Sequence, residues 1–102
     1  MKIWLDDLRP APDGFIWIKS YVEAMFFLSI RITQHFLLGD PIDIDEISLD
    51  HDLGGEHDGA DVLQYLIDND CVPEITVFHT QNPVGRAEME RMLQRYYERK
   101  SE

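Results

Sequence analysis

The sequence contains a single cysteine, Cys71, so no intrachain disulfide can form and packing alone must hold the fold. A lone thiol fits a reducing compartment, and a cytoplasmic location is expected. Positive charge is scarce: nine Lys and Arg stand against twenty Asp and Glu, a formal net charge of −11. Five of the basic residues, Arg86, Arg91, Arg95, Arg99 and Lys100, fall near the C-terminal end, where four Glu nearly cancel them. The acidity therefore belongs to the rest of the chain. Such a surface repels a polyanion, because nucleic-acid affinity comes mainly from phosphate neutralisation. A long duplex is not expected as a partner. A metal ion, a small nucleotide or the end of a short RNA stays open, since a cation can bridge the charges. Long hydrophobic runs are absent too. Tyr21 to Leu38 is interrupted by Glu23, Arg31, Gln34 and His35, so no membrane span is expected. Asp6 and Asp7 break the apolar start, so no signal peptide is expected. There is no internal repeat, low-complexity tract or linker, and 102 residues suit a single domain, 1–102, with one core.

What is present is an alternation of strands and helices. Ile3-Trp4-Leu5 is a short apolar run ended by Asp6-Asp7, and the loop Leu8 to Gly14 carries two prolines. Phe15-Ile16-Trp17-Ile18 reads as a second strand. Ser20 and Glu23 match a capping box, opening a helix with Val22, Met25, Phe26, Ser29, Ile30, Thr33, Phe36 and Leu37 on helical spacing. Gly39-Asp40-Pro41 ends it. Ile47-Ser48-Leu49 is a third strand, with a start as early as Ile44 allowed. Asp50 to Gly59 is a polar loop, and Asp58 caps a helix facing inward with Val62, Leu63, Leu66 and Ile67. Ile75 to Phe78 is a fourth strand. Asn82-Pro83 then starts a last helix, Asn as cap and Pro at the first helical position, with Met89, Met92, Leu93 and Tyr96 as its apolar stripe. Trp4, Trp17, Phe26 and Phe36 are expected in the core.

The alternation predicts a parallel sheet. Its first connection is too short for a crossover helix. Seven extended residues still span about 23 Å, and a strand of four or five residues is only about 15 Å long. An extended loop can therefore return the chain for a parallel pairing; an antiparallel hairpin is the alternative.

Ligands of open parallel sheets bind outside the carboxyl ends of the strands, and the notable polar residues fall there. Asp6 and Asp7, with Arg9 beyond, follow strand one. Asp50-His51-Asp52 follows strand three, and His79 follows strand four. Carboxylates at this density suit Mg²⁺, or Mn²⁺ if imidazole joins. Each has an ordinary alternative role, Asp6, Asp7 and Asp50 in capping or turn initiation and Asp52 in the Asp-Leu-Gly-Gly turn. His51 and His79 are the candidate acid and base, because imidazole titrates nearest neutral pH; a structural hydrogen-bonding role is open for both. His35 and His57 are expected at the surface. Arg9 either clamps a phosphate or neutralises Asp6 and Asp7. Thr80 and Gln81 are spare donors, and the helix start at Asn82 can face an anion. Ser48 lies on a strand with no partner pattern for nucleophilic catalysis.

Three stretches carry a resemblance. Leu5-Asp6-Asp7-Leu8-Arg9-Pro10-Ala11-Pro12 with Gly14-Phe15, then Ser48-Leu49-Asp50-His51-Asp52-Leu53-Gly54, then His79-Thr80-Gln81-Asn82-Pro83-Val84-Gly85 occur in the order of the cyclic-phosphate processing receiver-like family. The chain is also similar to response-regulator receiver domains. That similarity implies an acidic pair binding Mg²⁺, matched by Asp6 and Asp7, and a phosphate-accepting aspartate, matched by Asp50. His79 or Thr80 falls where receivers place a small hydroxyl residue. The receiver's first helix, and its fifth strand with its lysine, have no counterpart. The resemblance implies a small receiver-like, Rossmannoid α/β fold: a three-layer sandwich of about four mostly parallel strands, with a loop in place of the first crossover helix.

Two functions follow as expectations. One is a metal-assisted phosphoesterase acting on a cyclic phosphate of a nucleotide, nucleotide derivative or RNA end. Asp6, Asp7, Asp50 and Asp52 would hold the cation. His51, His79, Arg9 and Asp50 would be catalytic, and Arg9, Thr80 and Asn82 would contact substrate. The other is a non-catalytic receiver-like module that binds metal, nucleotide or a protein partner and is phosphorylated at Asp50.

Overall fold

The first connection decides the architecture. In a computed structural model describing residues 1–102, the chain leaves β1 (Lys2–Leu5), runs through a helix-free loop and enters β2 (Phe15–Ile18) parallel to β1. The hairpin alternative is therefore excluded. Two indoles fasten the loop: Trp17 Nε1 donates to the Asp6 carbonyl at 2.7 Å and Trp4 Nε1 to the Arg9 carbonyl at 2.9 Å. Gly14, at φ 86°, makes the turn into β2, and the Phe15 N–H bonds back to the Pro12 carbonyl.

The remaining elements are α1 (Tyr21–Leu38), β3 (Glu46–Leu49), α2 (Gly59–Asp68), β4 (Ile75–Phe78) and α3 (Pro83–Lys100). The strands lie in the order β2-β1-β3-β4, all parallel. The expected caps are in place. Ser20 Oγ accepts the Glu23 N–H, Asp58 and Asp61 form a capping box, and Asn82 accepts the Gly85 N–H. The Glu23 carboxylate reaches back to the Lys19 N–H, one residue before the cap.

Register divides the sheet into two faces. Ile3, Leu5, Ile18, Ile47 and Leu49 share one face and form a single buried cluster with Ala24, Leu28 and Ile32 of α1, Val62, Leu63 and Leu66 of α2, and Met89 of α3. α1 packs on α2 and α2 on α3, so all three helices gather on that face. The other face carries Trp4, Trp17, Ser48 and Val77 in one row and Lys2, Phe15, Glu46 and Ile75 in the next. The α/β receiver-like sheet is as the sequence predicts, but it has one helical layer; the third layer of the expected sandwich is not there.

The apolar stripe of α1 also differs. Ala24, Leu28 and Ile32 face the sheet, whereas Val22, Phe26 and Phe36 are 75%, 73% and 64% exposed. The segment is apolar almost all round, so its spacing offers several stripes of similar quality. The small Ala24 belongs to the stripe that faces the sheet. Phe26 and Phe36 are thus not core residues, and Trp4 and Trp17 lie half-buried on the helix-free face.

Candidate functional site

Parallel pairing continues one residue past the strands and builds the site. The Asp6 N–H bonds to the Ile18 carbonyl, the Asp50 N–H to Leu5 and the His79 N–H to Leu49, at 3.0–3.1 Å. Asp6, Asp50 and His79 are therefore side by side at the carboxyl edge. Strand alternation carries them to the face of Trp4, Ser48 and Val77.

One oxygen each of Asp6, Asp7 and Asp50 lies within 4.8 Å of the others. Asp6 is fully buried and the most heavily bonded. Its Oδ1 accepts the Leu8 and Arg9 N–H groups at 2.9 and 2.8 Å, and its Oδ2 faces Arg9 Nε and His79 Nε2, each at 3.0 Å. Burial opposes its charge, but the two backbone N–H groups, His79 and Arg9 together hold its pKa below the ordinary carboxylate value. Asp50, also buried, accepts the His51 N–H on Oδ1 and faces Arg9 Nη2 at 3.5 Å with Oδ2. Asp7 has no hydrogen bond or ion pair. A Cβ on Gly54, a residue at φ 74°, would come within 3.0 Å of Asp7 Oδ2. Three converging carboxylates, one of them free, form an all-oxygen donor set that fits a hard metal ion. Arg9 bridges Asp6 and Asp50 rather than the Asp6-Asp7 pair, and its Nη1 donates to the His79 carbonyl at 3.3 Å.

His79 is held on all sides. Its ring stacks on Trp4 at 3.7 Å and 5°, and Nδ1 is 2.8 Å from Ser48 Oγ. An ionised Asp6 only accepts, so Nε2 carries the proton towards it and Nδ1 accepts from the Ser48 hydroxyl. Burial lowers the His79 pKa, outweighing the attraction of Asp6 and Asp50. Ser48, whose sequence context shows no partner pattern for nucleophilic catalysis, serves here as the hydrogen-bond partner of His79. The signal was strand parity: Trp4, Ser48 and Val77 share a row, with Asp6 and His79 two residues beyond the first and last.

His51 turns away into a second cluster between α2 and α3. Its Nδ1 is 2.9 Å from Asp52 Oδ1, and its Nε2 is 3.3 Å from Asp58 and 3.4 Å from Glu88. Burial works against its charge, but Asp52, Asp58 and Glu88 prevail and raise its pKa. Gly85 makes room for the ring: a Cβ there would overlap the imidazole of His51. Asp52 therefore does not join the carboxylate trio. Asn82 caps α3 with its oxygen while its Nδ2 reaches Asp52 at 3.3 Å. Thr80 is buried, its Oγ1 accepting the Asn82 N–H and its carbonyl taking Arg86 Nη2. Gln81 and His57 are exposed, the latter stacked on Tyr21 and paired with Asp61. Asp58, Glu88, Gly54 and Gly85 were not legible as site residues, because a cap, a helix-face carboxylate and loop or helix glycines have common structural uses.

No helix is long and apolar enough to cross a membrane. No curated protein and no solved structure matches the chain significantly. The family model described as the cyclic-phosphate processing receiver domain matches residues 1–95, which include all three sequence motifs and both clusters. The chain belongs to the cyclic-phosphate processing receiver domain family.

Proposed function

We propose that the protein is a metal-assisted phosphoesterase that opens a cyclic phosphate on a nucleotide, a nucleotide derivative or an RNA end. The observation that carries this reading is the convergence of Asp6, Asp7 and Asp50 on one point beside a partly exposed Arg9. A divalent cation held by these carboxylates, Mg²⁺ or Mn²⁺, supplies positive charge to the phosphoryl oxygens. Arg9 keeps Nε on Asp6 and turns its terminal nitrogens to the phosphate, which they fit in bidentate fashion. Water adds to phosphorus, one ring P–O bond breaks, and the leaving oxygen takes a proton, giving a phosphomonoester. His51 is the proposed donor, since Asp52, Asp58 and Glu88 favour its imidazolium; to reach the leaving oxygen its ring would have to swing from Asp58 and Glu88 towards the Asp50 edge. His79, held neutral by burial with its Nε2 proton directed at Asp6, positions that carboxylate. Thr80 and Asn82 offer the turn in which the substrate's outer oxygens are received. The test is a panel of 2′,3′-cyclic nucleotides, cyclic oligonucleotides and cyclic ADP-ribose derivatives, each with Mg²⁺, Mn²⁺ or EDTA. Turnover of one class that stops with EDTA supports the reading; no turnover of any class removes it.

A second reading rests on Arg9 itself, which already neutralises Asp6 and Asp50. A receiver-like module that takes up phosphate on Asp50 needs no hydrolysis of substrate. Incubation with a small phosphodonor, followed by intact mass, separates the two. A stable gain of one phosphoryl group, lost in Asp50→Asn, favours the module.

A further inference from the structure

We propose that α1 is the contact surface of a symmetric dimer, with the α1 of a second copy lying antiparallel across it. Val22, Phe26 and Ile30, four residues apart, form a ridge of exposed apolar side chains. The ridge borders a groove floored by Phe27 and by Ile16 of β2, the edge strand of the sheet. A contiguous exposed apolar patch of this kind marks an interaction surface.

The charges in the groove say what covers it. α1 contains one acidic and one basic residue, Glu23 and Arg31, so it is neutral in a chain of net charge −11. It is a surface on which two copies can meet without repulsion. Arg31 lies over the Phe27 ring at 4.9 Å and has no ion pair within the chain. Glu23 uses Oε2 on the Lys19 N–H and leaves its other oxygen free. A two-fold axis beside Phe26 and Phe27 sets Glu23 against Arg31 of the second copy, twice. On that axis the Phe26 and Phe27 rings of the two copies lie together at the centre, and Val22 of each copy lies within a helical turn of Ile30 of the other. A helix face that is complementary to itself under two-fold rotation is what an isologous interface requires. The central aromatics supply the apolar contact, and the two rim pairs fix the register.

The test is solution mass by sedimentation velocity across a concentration series, with circular dichroism on each variant. Wild type should reach twice 12.0 kDa. Phe26→Glu should remain at the monomer mass. Glu23→Lys and Arg31→Glu place like charges together at both rims, and each should weaken dimerisation roughly tenfold or more. Both keep the Ser20 cap and the buried stripe, so both should fold. Mixed in equal amounts, these two variants should dimerise again, because each rim then pairs a basic side chain with an acidic one. A wild type that stays monomeric overturns the proposal. So does a dimer that survives Phe26→Glu and both charge reversals, or a mixture of the two reversals that fails to recover.

Discussion

His51 and His79 both follow a carboxyl-edge strand, yet their neighbours push them in opposite directions. Asp52, Asp58 and Glu88 raise the first against the effect of burial, and burial lowers the second. In the metal-free protein, a histidine NMR titration should place His51 above the ordinary imidazole value and His79 below it; the reverse order refutes the assigned surroundings. The consequences for stability have opposite signs. The raised His51 stabilises fully below the ordinary histidine pKa, and this is lost as pH rises through the folded value. The depressed His79 favours folding above the ordinary value, and this is lost as pH falls through its folded value. Gly85→Ala should push the His51 ring out of its slot. The cost should be about 1–3 kcal/mol, and the His51 titration should return towards an ordinary value. An unchanged titration curve would mean the ring is not wedged there. Both histidines were legible as candidates from position alone. Their division of labour was not, since it depends on Ser48, Trp4, Asp58 and Glu88, which only the fold brings to the rings.

At the scale of elements, local signals were the reliable ones. Ser20, Asp58 and Asn82 each cap a helix where their sequence context places them, because a cap is decided within four residues. The inward face of α1 was not legible, because a helix apolar all round leaves the choice to the sheet beneath. Substitution tests that choice. Leu28→Ala should cost about 2–5 kcal/mol, and Phe36→Ala should stay within about 0.5 kcal/mol, both read from denaturant melts. Comparable losses would put α1 on the wrong face. The parallel return of the first loop was allowed by length but not required by it. What fixes it is the pair of indole hydrogen bonds from Trp4 and Trp17, which no periodicity reveals.

For the whole molecule, an excess of negative charge surrounds three converging carboxylates, only two of which Arg9 neutralises. Divalent metal should therefore stabilise the fold, by about 2.7 kcal/mol when the free ion is about 100-fold above its Kd. Asp7→Asn should leave the melt in EDTA unchanged or raised, since Asp7 has no partner to lose, and should abolish the response to Mg²⁺ or Mn²⁺. Identical melts of the wild type with EDTA and with metal would remove the cation from the account. The assembly of the site was legible because three strand ends and a parallel sheet converge on one edge. The Arg9 bridge and the separate His51 cluster were not, because side-chain direction beyond a strand end is set by the loop that follows. Catalysis is tested most directly by ³¹P NMR of a 2′,3′-cyclic nucleotide, with Mg²⁺ or Mn²⁺ and with EDTA, for the wild type and for Asp50→Asn and His51→Asn. The account predicts conversion of the cyclic phosphate signal to a monoester signal with metal only, and slowed about 10²–10⁴-fold in His51→Asn. Conversion at the wild-type rate in both variants, or none by a wild type that binds metal, would contradict it.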